Sequence, residues 1–181
     1  TVHEIAPGNF NGYFLCDKKP RQLTEAIESN FDTSFVISRN NLLFGLCEIK
    51  NRDYLFSLNL RKSKQKIRKI KKFDFFVGSL SSNPKGNLFS WIEWNNDHMP
   101  WDKNLLFFAK IDNDGEIQEI KKFSNKFINE KKNVSFFQPY WISDNLLVCS
   151  EDSTGWWNLC FLDVTDFKNI LLKKRLIKPF T

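Results

Sequence analysis

Trp91-Ile92-Glu93-Trp94-Asn95-Asn96-Asp97-His98-Met99-Pro100-Trp101-Asp102 joins an aromatic run to a long loop. Phe89 and Trp91 have the two-residue period of a strand, and Trp94 stands where the chain bends. The loop holds polar and bulky groups and no Gly, so it is more than a minimal turn. The runs on either side of it recur elsewhere in the chain.

Asn87-Leu88-Phe89-Ser90 matches Asn41-Leu42-Leu43-Phe44 and Asn145-Leu146-Leu147-Val148, each preceded by a turn-like polar cluster. A second apolar run follows each: Leu55-Phe56-Ser57-Leu58, Leu105-Leu106-Phe107-Phe108 and Leu159-Cys160-Phe161-Leu162. The step from first run to second is 13 residues (42 to 55), 17 (88 to 105) and 13 (146 to 159). The step to a third run is 12 each time (55 to 67, 105 to 117, 159 to 171). Constant spacing with one four-residue insertion is the mark of repeated units with one variable loop. An earlier strand-like run opens each unit, at 31–38, 75–81 and 134–143. Four short strands per unit is the plan of a β-propeller blade. The chain is therefore expected to be all-β: blades at 31–72, 73–123 and 134–178, with 1–30 as the remnant of another. Thr24–Glu28 offers at most one helical turn. Three blades and a remnant are too few to close a ring, so the chain reads as a fragment of a larger propeller, or as one that associates through its open blade edges.

The totals fit one globular domain. The 181 residues are 41% hydrophobic and 15% aromatic, which argues against disorder. No run of 18 apolar residues offers a membrane span. The opening Thr1-Val2-His3-Glu4 has no apolar leader and no initiator Met, so a longer parent is expected. Net charge is +6, in a chain with 19 Asn and many Lys, and the basic groups are spread out except at 61–72. That segment has eight basic residues in twelve and could grip phosphates. It falls on the turn and fourth strand of a blade, where Lys guards an exposed edge, so no nucleic acid is expected as a partner. Cys16, Cys47, Cys149 and Cys160 form no Cys-x-x-Cys pair and sit in apolar runs. They read as buried, reduced thiols of a cytoplasmic protein, not as zinc ligands.

Particular residues carry a resemblance. Ser90-Trp91-Ile92-Glu93-Trp94, followed by Asp97-His98-Met99-Pro100-Trp101-Asp102 and Leu105, resembles the propeller of the acylaminoacyl-peptidase-like branch of the prolyl oligopeptidase family of serine peptidases. Gln138-Pro139-Tyr140-Trp141-Ile142-Ser143-Asp144 resembles a blade opening of that family. Thr154-Gly155-Trp156-Trp157-Asn158-Leu159 resembles its Gly-Trp-Trp-Asn-Leu signature, and Val2-His3-Glu4 with Gly8 its Val-His-Glu-Tyr-Gly-Gly-Gly segment. Ile5, Ala6 and Pro7 depart from that last pattern. Proline fixes φ near −65°, so a loop of glycine geometry is not kept there. The resemblance implies a propeller that covers an α/β-hydrolase domain bearing a Ser-Asp-His triad, with peptides as substrates. The chain has no Gly-x-Ser-x-Gly elbow, and its two histidines, His3 and His98, match propeller positions. No triad, cofactor or metal is therefore expected in it.

The remaining candidates are loop and aromatic groups. His98 with Asp97 and Asp102 could be drawn as a metal site, and Glu93 with Asp97 as an acid–base pair. Loop placement makes solvated or capping roles the better reading of both. Six Trp divide between packing from blade to blade and lining of the central channel. Trp101, Asp102 and Trp157 are the candidates for the channel near the partner domain. Asp102 and Asn158 are also expected to bond backbone in their own loops.

Overall fold

The computed structural model describes residues 2–3, 13–16, 19–25, 29–38, 40–124 and 133–176. Strands β1 (Val2–His3), β2 (Tyr13–Cys16) and β3 (Lys19–Gln22) make a three-stranded sheet. Three four-stranded antiparallel meanders follow. The first blade is β4 (Asn30–Ile37), β5 (Leu42–Glu48), β6 (Asp53–Asn59) and β7 (Arg68–Lys72). The second is β8 (Phe76–Ser82), β9 (Leu88–Trp94), β10 (Leu105–Ile111) and β11 (Ile117–Lys122). The third is β12 (Phe136–Trp141), β13 (Leu146–Glu151), β14 (Asn158–Asp163) and β15 (Leu171–Leu176). β8 lies against both β4 and β12, so the first strand of each blade is innermost and the fourth outermost. This is a partial β-propeller of three complete blades and a remnant. The loop at Glu4–Gly8 and the expected turn's residues 26–28 lie outside the described residues.

Alternation along each middle strand explains the stacking, because successive side chains point to opposite faces. On β5, Leu42, Phe44 and Leu46 face the second blade, while Leu43 and Cys47 face the N-terminal segment around Leu23. On β9, Phe89 and Trp91 face back to the first blade, while Leu88 and Ile92 face the third. Phe44 and Phe89 meet edge to face with centroids 4.8 Å apart, and Phe108 meets Trp141 in the same way at 5.9 Å. The indole N–H of Trp141 donates to the Ser90 hydroxyl at 3.0 Å, inside the second junction. A blade is thus apolar on both faces and needs a neighbour on each.

The ladders correct the spacing read from the sequence. Leu46 pairs with Leu55, Ile92 with Leu106, and Ser150 with Leu159. The residue equivalent to Leu55 and Leu159 is therefore Leu106, not Leu105, and the inserted loop is five residues longer, not four. All four residues of Leu105-Leu106-Phe107-Phe108 are apolar, so their phase is not legible without partners.

This register exposes an equivalence between blades. Asp53 and Asn104 occupy the same position, just before the third strand's core residues. Asp53 Oδ2 accepts the N–H of Val77 at 3.3 Å, and Asn104 Oδ1 accepts the N–H of Phe136 at 2.9 Å. Val77 and Phe136 are themselves equivalent, each at the beginning of the inner strand of the next blade, second and first residue respectively. One side chain therefore clamps each blade to its successor. Asn104 adds a second bond, from its amide nitrogen to the Phe136 carbonyl at 2.8 Å. Burial pushes the Asp53 carboxyl up, the Val77 N–H opposes this, and the charges of Glu48 and Asp32 add to the rise. Because the folded pKa is raised, ionising this carboxyl disfavours folding, and stability falls as pH climbs through the unfolded and then the folded value. Asp53→Asn is therefore expected to match or exceed the parent's stability at pH 7, and to lose that advantage as pH falls and the parent carboxyl protonates. Asp53→Ala, which strands the Val77 N–H, should cost about 1–3 kcal/mol. Urea midpoints at pH 7 and pH 4 measure both.

Candidate functional site

Each inner strand carries a bulge at the same height. The register shifts between Phe31 and Phe35 in β4, between Gly78 and Ser81 in β8, and between Phe137 and Tyr140 in β12. Ser79 and Gln138 at these bulges adopt left-handed backbone, with φ of 57° and 49°. Such geometry costs a non-glycine residue about 1–3 kcal/mol and is concentrated at functional surfaces. Ser34, Ser79 and Gln138 stand at equivalent places and line a recess of about 600 Å³ along the axis.

A cavity of about 710 Å³ adjoins this recess and shares Ser34, Ser79 and Phe137 with it. Three indoles contribute to its walls. Trp94 comes from the end of β9, Trp101 from the loop after it, and Trp157 from the β13–β14 loop. Trp101 is 59% exposed and Trp157 47% exposed. Trp157 also meets Phe137 edge-on, with centroids 6.2 Å apart. Two of the three residues named from the sequence thus line one cavity over the inner strands. Asp102 is not among its lining. Its Oδ2 accepts the N–H of Met99 at 3.3 Å and closes the turn in its own loop. Asn158 likewise donates to the Trp156 carbonyl at 2.9 Å and the Thr154 hydroxyl at 2.7 Å. Trp157 occupies the position that holds the clamps Asp53 and Asn104 in the first two blades. Sequence reasoning missed Trp94, Phe137 and Asp32 as cavity residues. The inner-strand bulges beside Asp32 and Phe137 are signalled only by polar residues such as Ser34 and Gln138.

The other candidates are placed elsewhere. Trp91 is fully buried between the blades, and its N–H donates to Glu93 Oε1 at 2.7 Å, which fixes that carboxylate. Asp97 accepts from the Asn95 amide at 3.1 Å, so the structure gives Glu93 and Asp97 separate partners. Among the described residues, no cluster of His, Cys, Asp or Glu is arranged to hold a metal ion. No helix among them is long and apolar enough to cross a membrane. The basic segment includes β7, an outermost strand. There Arg68 pairs with Glu116 at 2.8 Å, while Lys69 and Lys71 lie over the Tyr54 and Phe73 rings. Three of its cations are engaged by the protein itself.

The thiols hold one contact that spacing could not show. Cys149 and Cys160 face each other across β13 and β14 with Sγ atoms 3.2 Å apart, both buried. The hydrogen bond with Cys160 and burial raise the Cys149 thiol well above the usual range, and burial pushes Cys47 up to about 12.

Neither a protein-family model nor a curated protein matches the chain. Its fold does match solved structures. A puromycin-hydrolyzing peptidase from Mycobacterium tuberculosis is 19% identical with a TM-score of 0.70, over 95% of this chain and 30% of that one. A puromycin hydrolase is 19% identical with a TM-score of 0.75, over 95% of this chain and 28% of that one. A prolyl oligopeptidase B from Galerina marginata, bound to a 35mer substrate, is 11% identical with a TM-score of 0.63, over 94% of this chain and 26% of that one. These likenesses are of fold, and they agree with the prolyl oligopeptidase resemblance read from the sequence. The chain spans less than a third of each of these proteins.

The two classes of Trp should separate in stability. Trp91→Ala is expected to cost about 3–5 kcal/mol, as for a large core ring, and Trp157→Ala under about 1 kcal/mol, as for a half-exposed one. Urea denaturation of both variants checks this. A thiolate-directed reagent at pH 8 should leave Cys47 and Cys149 unmodified in the folded chain and label them once urea unfolds it, read by intact mass.

Proposed function

We propose that this chain is the propeller part of a serine peptidase of the prolyl oligopeptidase family, in its acylaminoacyl-peptidase-like branch. In this reading the propeller packs against an α/β-hydrolase domain of the same full-length protein and covers its active site. Peptides reach that site only if they are short or unfolded enough to pass. The chain contributes no catalytic group. Acyl transfer, with its serine nucleophile, histidine base and oxyanion hole, belongs to the hydrolase domain. The protein works in the cytoplasm, where its buried thiols stay reduced.

The observation that carries this reading is the coincidence of two independent signals. Nearly the whole chain superposes on about a quarter to a third of each peptidase. The loop bearing Met99-Pro100-Trp101-Asp102 and the loop bearing Trp156-Trp157-Asn158-Leu159 are those in which the sequence resembles the family. In the fold these two loops supply Trp101 and Trp157 to one cavity over the inner strands.

In a second reading, a propeller-like module that binds a protein partner or a second copy, that partner covers the open face of the third blade that a further blade covers in the first reading. Leu159 is 44% exposed, while its equivalents Leu55 and Leu106 are 0% exposed. The outer face of the third blade is thus ready for a neighbour.

The gene product is expected to exceed 181 residues and to carry a hydrolase domain with a serine elbow. That full-length protein should cleave peptides and be stopped by a serine-directed reagent, while residues 1–181 alone show no turnover. A gene product that ends at Thr181 would remove the peptidase reading and leave the module.

A further inference from the structure

We propose that Cys149 and Cys160 are a reversible disulfide pair, and that its closure staples the base of the loop that carries Trp157 into the cavity. The proposal is independent of the peptidase reading and goes beyond it.

Cys149 on β13 and Cys160 on β14 are directly opposed in register. Directly opposed residues of an antiparallel pair have Cα atoms about 4.5 or 5.5 Å apart. Both separations fall within the range of about 4.4–6.8 Å that a disulfide spans. The Sγ atoms are 3.2 Å apart. A disulfide length of about 2.05 Å therefore asks them to approach by roughly 1 Å. The register gives the other cysteines no facing thiol: Cys47 is opposed by Phe31 and Tyr54, and Cys16 by Lys19. Residues 149–160 contain the whole β13–β14 loop, and Ser150 and Trp157 within them line the cavity. A bond between Cys149 and Cys160 closes this segment into a ring and restricts its open forms. Both thiols belong to the apolar cluster that holds Ile92, Leu106 and Phe108 of the second blade. Burial shields them, and the hydrogen bond with Cys160 raises the Cys149 thiol. A small-molecule disulfide such as oxidised glutathione therefore reaches the pair when the second and third blades part. One protein thiolate attacks a glutathione sulfur, the glutathione S–S bond breaks, and a mixed disulfide forms as one glutathione thiolate leaves. The facing thiol gives its proton to solvent and attacks the protein-side sulfur. The mixed bond breaks, the Cys149–Cys160 bond forms, and the second glutathione leaves. The protein thiols have lost two electrons and two protons, and glutathione disulfide has become two glutathione thiols. A bound glutathione is too large for a packed apolar cluster, so the blades close again on free or on paired sulfurs. At a reducing poise the pair rests as two thiols, and its closure records an oxidising one.

The test unfolds the 181-residue chain in urea and refolds it to equilibrium in mixtures of oxidised and reduced glutathione. Refolding in the redox buffer keeps burial of the thiols from hiding a negative result. The product is expected to be about 2 Da lighter by intact mass, the loss of two hydrogens. Peptide mapping should place the link between residues 149 and 160, and dithiothreitol should restore the parent mass. Closure should raise the urea midpoint by about 1 M and shift the Nε1–H resonance of Trp157, assigned with Trp157→Phe. Cys160→Ala, shown folded by far-UV circular dichroism, should abolish both the mass loss and the midpoint shift. No mass loss, stable glutathione adducts in its place, or a link that includes Cys16 or Cys47 would overturn the proposal. So would an oxidised chain no more stable than the reduced one, or a Trp157 resonance that oxidation leaves unmoved. None of these results touches the peptidase reading, which turns on the hydrolase domain.

Discussion

Face-to-face packing of twisted sheets is the constraint from which the rest of this structure follows. A four-stranded meander with apolar residues on both faces cannot stand alone in water. Here the alternation along β5 and β9 sends Phe44 and Leu46 one way and Leu43 and Cys47 the other, Leu88 and Ile92 one way and Phe89 and Trp91 the other. Each junction is filled by rings meeting edge to face. The wedge between sheets splayed about an axis is wider than two aliphatic side chains can fill, and aromatic rings supply the volume. The abundance of Phe and Trp is thus a consequence of radial stacking.

Packing alone does not set the angle between blades, and here polar side chains do. Asp53 and Asn104 reach from equivalent positions to the backbone N–H that opens the next blade. On the other side of the second junction, Asn83 accepts from Asn87 and Leu88 and donates to the Asp144 carbonyl at 2.9 Å. Lys85 adds an ion pair with Asp144 at 2.8 Å, half exposed and so of little weight. The hydrogen bonds satisfy backbone groups that the bends between blades leave unpaired. They also hold the inner strands where their bulges face the axis, which is how the fold creates the cavity.

The sequence made the architecture legible because blades repeat. The Asn-Leu starts at 41, 87 and 145 and the recurring apolar runs report strand count and order without knowledge of any contact. The phase of β10 was not legible, since Leu105 and Leu106 are chemically identical and only the pairing with Ile92 separates them. Trp101 and Trp157 could be named as candidates because both stand in loops. Asp102 could not be told from them, since whether a loop carboxylate faces inward or caps its own turn depends on backbone geometry. The clamps, the facing thiols Cys149 and Cys160, and Asp32 were invisible for a related reason: each acquires meaning from a partner far away in sequence or from a bulge.

The third blade shows how the same rules apply to a face that no other sheet among the described residues covers. Its outer face keeps the plan of the first two. Leu146, Val148 and Leu159 hold the places of Leu42, Phe44 and Leu55, which are covered by the second blade. Tyr140, equivalent to buried Val36, is 65% exposed. At the clamp position, however, stands Trp157, which accepts no backbone hydrogen bond. A sheet placed on this face would meet apolar contact without the side-chain tie that locks the first two junctions, and its inner strand would begin beside the indoles of the cavity. The substitution that weakens the angular control of that junction is the one that puts an aromatic wall into the cavity. The position that ties the first two blades to their successors is thus, in the third blade, part of the cavity wall.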